Sequence, residues 1–406
     1  MTRQLLINIC NMDYQKYPKL LSKYGCWIVD NKGFTKKFDA FQYASIHKKD
    51  QIHFYYHNHI WENFDRSLLG KIPLPNLYKQ RAEQLRDRYS HLVLHFSGGS
   101  DSYNILHTFL THKIKLDEIV VKWPKILSDK KFYTPNVNDT SARNSLSEWD
   151  YAIEPVLKRI SKSNPEIKIT IVDYVENLMS KNITDIIEEK LDHNNYFYSN
   201  YTPAVFFMSA NIDKFDARYT PENTAHIFGI EKPVLSEKPD GIYLHFADHA
   251  FDMLAVDPNL GTKEPFYWTA DLPILPMEQA YQCALHMVAD SKFNNFLYKN
   301  SLVSAARGNR IMKAQNKIFK KVLYAESWND DIFQAEKPNI QRNDWYYWMY
   351  EIADLSCARN IFSNVVKDIT IDVNSKFFQD PTNINYGLRK LKTRAFKVLD
   401  LKINNF

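Results

Sequence analysis

Two rhythms of apolar and polar positions divide this chain. In residues 1–90, short apolar runs with β-branched and aromatic content read as strands, at Leu5–Ile9, Cys26–Val29 and Gln51–Tyr56. A charged helix carrying Arg81, Arg86 and Arg88 is predicted over Leu77–Tyr89. From residue 91 the pattern becomes regular. Apolar strands at His91–Phe96, Asp117–Lys122, Lys168–Asp173 and Ala225–Gly229 alternate with helical stretches at Ser102–His112, Thr140–Ile160 and Asp173–Leu191. In the first of these helices Ile105, Leu106, Phe109 and Leu110 fall on one side. Strand–helix alternation predicts an α/β fold with a parallel sheet, helices on both faces and right-handed crossovers. Beyond residue 240 the pattern is mostly helical, at Met277–Ser291, Asn294–Arg307, Arg310–Ala325 and Asp344–Asn360, with one further strand at Ile242–Phe246. Three units are therefore expected. Residues 1–90 form a small α+β region, 91–240 a doubly wound core, and 241–406 a mostly helical region.

Composition adjusts this picture little. A chain of 406 residues holds two or three domain-sized units. No apolar run approaches the roughly 18 residues of a membrane helix, and the apolar patch after Met1-Thr2-Arg3-Gln4 is too short for a secretory signal. The default expectation is a cytoplasmic protein without a membrane partner. Cys10, Cys26, Cys283 and Cys357 form no Cys-x-x-Cys pair, which argues against a zinc ribbon or a disulfide framework. The net charge of +5 is mild and suits a nucleotide or an RNA partner equally. The groups His53/His57/His59 and His245/His249 lie in strand-like or loop sequence without a partnering cysteine, so a zinc site is not favoured.

The chemistry concentrates at residues 97–102, Ser-Gly-Gly-Ser-Asp-Ser, between the first core strand and its helix. The chain has only 10 glycines, and two of them, Gly98 and Gly99, stand side by side here. A helix N-terminus offers unpaired N–H groups and the positive end of its dipole. Glycines allow close approach, and successive N–H groups form an anion-binding nest. Ser97, Ser100 and Ser102 add hydroxyls. Asp101 would repel a phosphate unless a cation lay between them, and Mg²⁺ resolves that conflict. An ordinary capped turn needs one such residue, not six in a row. Neither the Gly-Lys-Ser/Thr ending of a P-loop nor the dinucleotide glycine fingerprint is present.

This hexapeptide resembles the SGGxDS loop of the ATP pyrophosphatase superfamily. That group includes asparagine synthetases, GMP and NAD synthetases, and tRNA lysidine and thiolation enzymes. The resemblance covers about residues 90–330 and is nearest in kind to stand-alone, virus-encoded asparagine-synthetase-like proteins. It implies a sheet of the adenine nucleotide alpha-hydrolase-like type and cleavage of ATP between its α and β phosphates. The expected reaction joins a carboxylate, activated as its adenylate, to ammonia or an amine. The resemblance places pyrophosphate on Ser97, Gly98, Gly99, Ser100, Asp101 and Ser102, and adenine near Val120 and Val121. It gives ATP and Mg²⁺ as the cofactors. The segment Gly229-Ile230-Glu231-Lys232-Pro233 follows an apolar strand and is expected to face the same crevice. Glu231 would hold Mg²⁺ or accept a proton, and Lys232 would neutralise phosphate charge. The family's fuller Gly-Glu-Gly-x-Asp-Glu pattern is absent there. Only about 90 residues precede the loop and position 2 is Thr2, so the glutaminase domain of glutamine-dependent asparagine synthetases is expected to be missing.

Two further stretches bear on the site. Glu264–Thr269 is dense in aromatics, for which core packing is favoured over an acceptor pocket. Arg307, Arg310, Lys313, Lys317, Lys320 and Lys321 form a basic helical series that reads first as a solvated face, although family members often bring a C-terminal Lys or Arg onto the phosphates. The basic tail Leu388–Arg394 reads as a solvated face. Less favoured alternatives are an enzyme that adenylates a base of RNA and a nucleotide-binding regulator without turnover.

Overall fold

The computed structural model describes residues 23–35, 37–123, 149–172, 220, 222–229, 234–248, 261–289, 319–330, 332 and 391–401. The expected strand Leu5–Ile9 and the expected helices Asp173–Leu191, Asn294–Arg307 and Asp344–Asn360 lie outside these residues, as does the tail segment before Leu391.

Strand β1 (Cys26–Val29) turns back into β2 (Lys32–Phe34) through Asp30 and Asn31, both with positive φ (47° and 66°). Two successive left-handed residues match the right-handed twist of a tight hairpin. Helix α1 (Lys37–Ile46) follows, and β3 (His53–Tyr55) pairs antiparallel with β1 to give the order β2-β1-β3. After the short α2 (Asn58–Glu62), helix α3 runs over Leu74–Arg88. It starts three residues before the sequence expectation because Pro75 lies in the first turn, where its missing N–H has no intrahelical role.

The expected core strands are present within a residue of their predicted limits. They are β4 (His91–His95), β5 (Glu118–Lys122), β6 (Lys168–Val172) and β7 (Thr224–Phe228). Helix α4 (Ser100–Thr111) follows β4, and α5 (Glu154–Ser163) precedes β6. Of the helix expected over Thr140–Ile160, the described part opens as a π-helical turn, Trp149–Ile153, and continues in α5 to Ser163. Next come β8 (Val234–Lys238), β9 (Gly241–His245), β10 (Thr262–Pro265), α6 (Ile274–Ala289) and β11 (Phe396–Asp400).

Five parallel strands form the main sheet in the order β10-β7-β4-β5-β6. Its fifth strand, β10, was not expected. Thr-Lys-Glu-Pro lacks an apolar run, and a strand ending in proline is tolerated because β10 lies at the sheet edge. Glu264 in this strand is fully buried. Its carboxylate meets Arg81 Nη2 at 2.7 Å, also fully buried, the Tyr89 hydroxyl at 2.6 Å, and Lys23. Burial pushes the Glu264 carboxyl up, but Arg81 and Lys23 outweigh it and hold the group below the usual range.

The strand at Ile242–Phe246 is also present, as β9, but in a separate antiparallel sheet of order β11-β9-β8. Among the described residues, the part beyond 240 thus contributes β9 and β11 to one sheet and β10 to the other, with α6 and the helical residues 319–323 beside them. Asp248, just past β9, ties this sheet to the N-terminal layer. Its Oδ2 pairs with Lys37 Nζ at 2.8 Å and accepts from the Trp27 indole at 3.1 Å, and its Oδ1 accepts from the Leu391 N–H at 3.0 Å.

Both faces of the parallel sheet carry buried side chains, as period-two alternation in a covered sheet requires. On one face Leu92, Leu94, Ile119, Val121, Ala225 and Ile227 join Ile105, Leu106 and Phe109 of α4 and Leu77 and Leu85 of α3 in the main core. On the other, Val93, Val120 and Val172 form a second cluster. Among the described residues no helix is long and apolar enough to cross a membrane.

Candidate functional site

Read by position in the sheet, the five strands run third, second, first, fourth, fifth. The chain leaves β4 towards β5 on one side, and later resumes at β7 on the other. Such a reversal opens a crevice beyond the carboxyl ends of the two central strands, where open α/β sheets bind ligands. The segment 97–102 follows β4 at that point. Gly229 follows β7, and a Cβ on it would lie 3.0 Å from the Asp101 carbonyl carbon and 3.1 Å from the Ser102 nitrogen. The two loops expected to share a crevice therefore touch.

The bend is built by Gly98. Its φ of 76° is a left-handed conformation, and a Cβ there would lie 2.6 Å from Ile153 Cγ1. Ser102 holds the bend closed on itself. Its hydroxyl donates to the Gly99 carbonyl at 3.1 Å and accepts from the Ser97 N–H at 3.2 Å. The Ser97 hydroxyl lies 3.2 Å from that oxygen. Ser102 and Ser100 are buried, whereas Ser97 is exposed. Of the three hydroxyls proposed from sequence as ligand donors, Ser102 is thus turned inward and Ser97 faces out. Helix α4 begins with Gly99 as its N-cap, which brings no side-chain cap. In helix geometry the N–H groups of Ser100, Asp101 and Ser102 have no carbonyl one turn back, while the Tyr103 N–H reaches the Gly99 carbonyl at 3.0 Å. The first turn also holds Asp101.

Asp101 is half-buried and held from several directions. Its Oδ1 accepts from the Tyr324 hydroxyl at 2.7 Å, and its Oδ2 lies 3.7 Å from Lys320 Nζ. Its backbone carbonyl accepts from the Tyr267 hydroxyl at 2.7 Å. Asn104, one turn on, donates to Tyr267 Oη at 3.1 Å and accepts from the Ser327 hydroxyl at 2.7 Å. Burial, then Asp101 and Tyr267, raise the Tyr324 phenol well above its ordinary value. Burial, then Tyr78 and Asp101, do the same for Tyr267. Both phenols are therefore neutral donors at physiological pH.

Sequence reasoning misses Tyr324, and it weighs Tyr267 only within an aromatic run for which core packing is favoured over an acceptor pocket. The aromatic run Phe266-Tyr267-Trp268 is fully buried, in keeping with core packing, but the Tyr267 hydroxyl reaches back to the loop. Tyr324 carried no signal beyond a helical pattern. Of the basic series, Lys320 reaches Asp101 and Lys321 pairs with Asp330 at 3.1 Å. Arg307, Arg310, Lys313 and Lys317 lie outside the described residues, as do Glu231 and Lys232. Val120 and Val121 lie in β5 with their side chains buried on opposite faces.

The crevice has two further titratable neighbours that the sequence did not single out. His95 ends β4, its ring stacked on Phe228 at 4.1 Å and its Nε2 lying 3.0 Å from His226 Nδ1. Burial and then His226 lower its pKa well below the ordinary value. Lys122 ends β5, where burial and then Lys263 push its ammonium down to about 7. Cys26 and Cys283 are buried free thiols, and burial raises both, so neither is a ready nucleophile.

Among the described residues no group of three His, Cys, Asp or Glu side chains is placed to hold a metal ion. The donor set at the loop fits the other common arrangement for Mg²⁺, in which one carboxylate shares the ion with substrate phosphates. Compared with protein-family models, curated proteins and solved structures, the chain matches none.

Proposed function

We propose that the protein is an ATP-dependent, AMP- and pyrophosphate-forming ligase that adenylates a small-molecule carboxylate and passes it to ammonia or an amine. The observation that carries this reading is the glycine-built bend of residues 97–99 leading into the uncapped start of α4, at the switch point between β4 and β7. That strand order and loop position support the adenine nucleotide alpha-hydrolase-like type of sheet.

In this reading the N–H groups of Ser100, Asp101 and Ser102, with Gly98, Gly99 and the Ser97 hydroxyl, receive the β and γ phosphates of ATP. Mg²⁺ held by Asp101 with those phosphates supplies charge neutralisation. Lys320 adds positive charge to the departing pyrophosphate. Fixed donors aimed at developing charge stabilise the transition state without reorganisation. Because the Val120 and Val121 side chains are buried, the end of β5 offers adenine its backbone. The substrate carboxylate oxygen attacks the α phosphorus and the bond to pyrophosphate breaks. The amine then attacks the acyl carbon, and AMP leaves with the carboxylate's former oxygen. Glu231 and Lys232 are the residues proposed to manage protons and charge on the β7 side.

Incubation with Mg²⁺, ATP labelled at the α or γ position, and a panel of carboxylic acids with ammonia tests the reading. Acid-dependent AMP and pyrophosphate support it, and ADP with phosphate refutes it. Asp101→Ala is expected to abolish turnover, and unchanged turnover removes Asp101 from the site.

A further inference from the structure

Asp101 and Asn104 lie three residues apart on α4 and so share one helix face. Tyr324 and Ser327 are spaced alike on the segment opposite. Each donates its hydroxyl to a side-chain oxygen of α4 at 2.7 Å, Tyr324 to Asp101 Oδ1 and Ser327 to Asn104 Oδ1. The same turn brings in Lys320, whose carbonyl accepts the Tyr324 N–H at 2.9 Å and whose ammonium lies near Asp101 Oδ2. The two oxygens of Asp101 therefore have different neighbours. Oδ1 meets a buried phenol in a ring cluster with Tyr267 at 5.6 Å and Tyr78 at 6.3 Å. Oδ2 lies 3.7 Å from the partly exposed Lys320 ammonium.

We infer that Tyr324 is a positioning residue for a divalent cation at Asp101: it fixes the carboxylate through Oδ1 and reserves Oδ2 for the metal, which takes the place of Lys320. The inference rests on the proposed function, since it assumes that Asp101 receives a metal with ATP. The chemistry is that of any metal-ligating carboxylate whose second oxygen is hydrogen-bonded. The outer partner sets the ligand's orientation, so that binding does not have to order it. A rigid phenol suits this task because its ring is packed against Tyr267 and Tyr78 and its hydroxyl donates to Asp101 Oδ1 at 2.7 Å. The Ser327–Asn104 bond anchors the same turn but touches no metal-facing group, which makes it the natural control.

The test is calorimetric titration of ATP into the full chain with and without Mn²⁺, reading how much the metal tightens ATP binding. Tyr324→Phe is expected to reduce that enhancement by about 10- to 100-fold while metal-free ATP binding is unchanged. Ser327→Ala is expected to leave the enhancement in place. Two analogues of matched size can be introduced at position 324 as a further test. With 4-methylphenylalanine, which has no donor, the enhancement should fall. With 4-aminophenylalanine, which keeps one, it should persist. This pair decides the matter even if Tyr324→Phe does not fold. An enhancement that survives Tyr324→Phe, or falls equally in Ser327→Ala, overturns the positioning role while the ligase reading stands. An unmodified chain that binds no ATP, with or without Mn²⁺, overturns both.

Discussion

Gly98→Ala isolates the bend on which the site depends. At φ 76° an alanine adopts a left-handed backbone that costs about 1–2 kcal/mol. Its Cβ would also sit 2.6 Å from Ile153 Cγ1, an overlap that packed interiors relieve at a cost of about 1–3 kcal/mol. The combined penalty, about 2–5 kcal/mol, is a large share of the ~5–15 kcal/mol by which a folded domain is stable. Two parts can be separated. In an Ile153→Ala background the overlap is gone, so Gly98→Ala should cost only the backbone part, leaving a coupling of about 1–3 kcal/mol in the double-mutant cycle. Denaturant unfolding of the four proteins measures this, with the slope checked for constancy. Gly99→Ala is the contrast. Gly99 has φ −74° and needs no glycine for its backbone, so the change should cost less than about 1 kcal/mol of stability. It would nonetheless put a methyl group where an anion must approach, and nucleotide affinity should fall. Equal, negligible effects of Gly98→Ala in both backgrounds would refute the geometry assigned to the bend.

Two predictions concern the scaffold. Lys37→Met leaves the buried Asp248 carboxylate without its cation, with only the Trp27 and Leu391 N–H donors, so stability should drop by about 3–5 kcal/mol in thermal or denaturant melts, and a neutral outcome would show that Asp248 does not rely on Lys37. Burial lowers the folded-state pKa of His53, His57, His91, His95, His107 and His245. Below the ordinary histidine value near 6.5 the unfolded chain therefore binds more protons than the folded one, and stability falls as pH drops through that value. Each such group adds up to about 1.4 kcal/mol per pH unit. His95→Gln should flatten the profile between pH 6.5 and lower values, and an unchanged slope would contradict the depressed pKa.

The strand–helix core was legible because its central strands β4, β5 and β7 are buried on both faces and its first helix is one-sided. The 97–102 loop was legible because scarce glycines cluster there beside small polar residues. What stayed hidden were elements whose signal is tertiary. Strand β10 is short, charged and ends in Pro265, and Glu264 becomes a strand residue only because Arg81 waits for it one layer away. Tyr324 and Tyr267 lie 223 and 166 residues from Asp101 in sequence, and no local pattern announces such partners. The inward turn of Ser102 is likewise a product of the bend, since Ser97, Ser100 and Ser102 look equivalent as letters. The sheet around β9 illustrates the same limit: β9 itself was legible, but its partners β8 and β11 were not, because a strand arriving from residue 396 completes a sheet begun at residue 234.

A crystal structure with Mg²⁺ and α,β-methylene ATP, whose scissile linkage cannot be cleaved, would address the site most directly. The account requires the β and γ phosphates at the N–H groups of Ser100, Asp101 and Ser102, with the metal on Asp101 Oδ2 and Lys320 moved onto phosphate. A triphosphate bound elsewhere, or a loop that stays free of the nucleotide at saturating concentration, would contradict it.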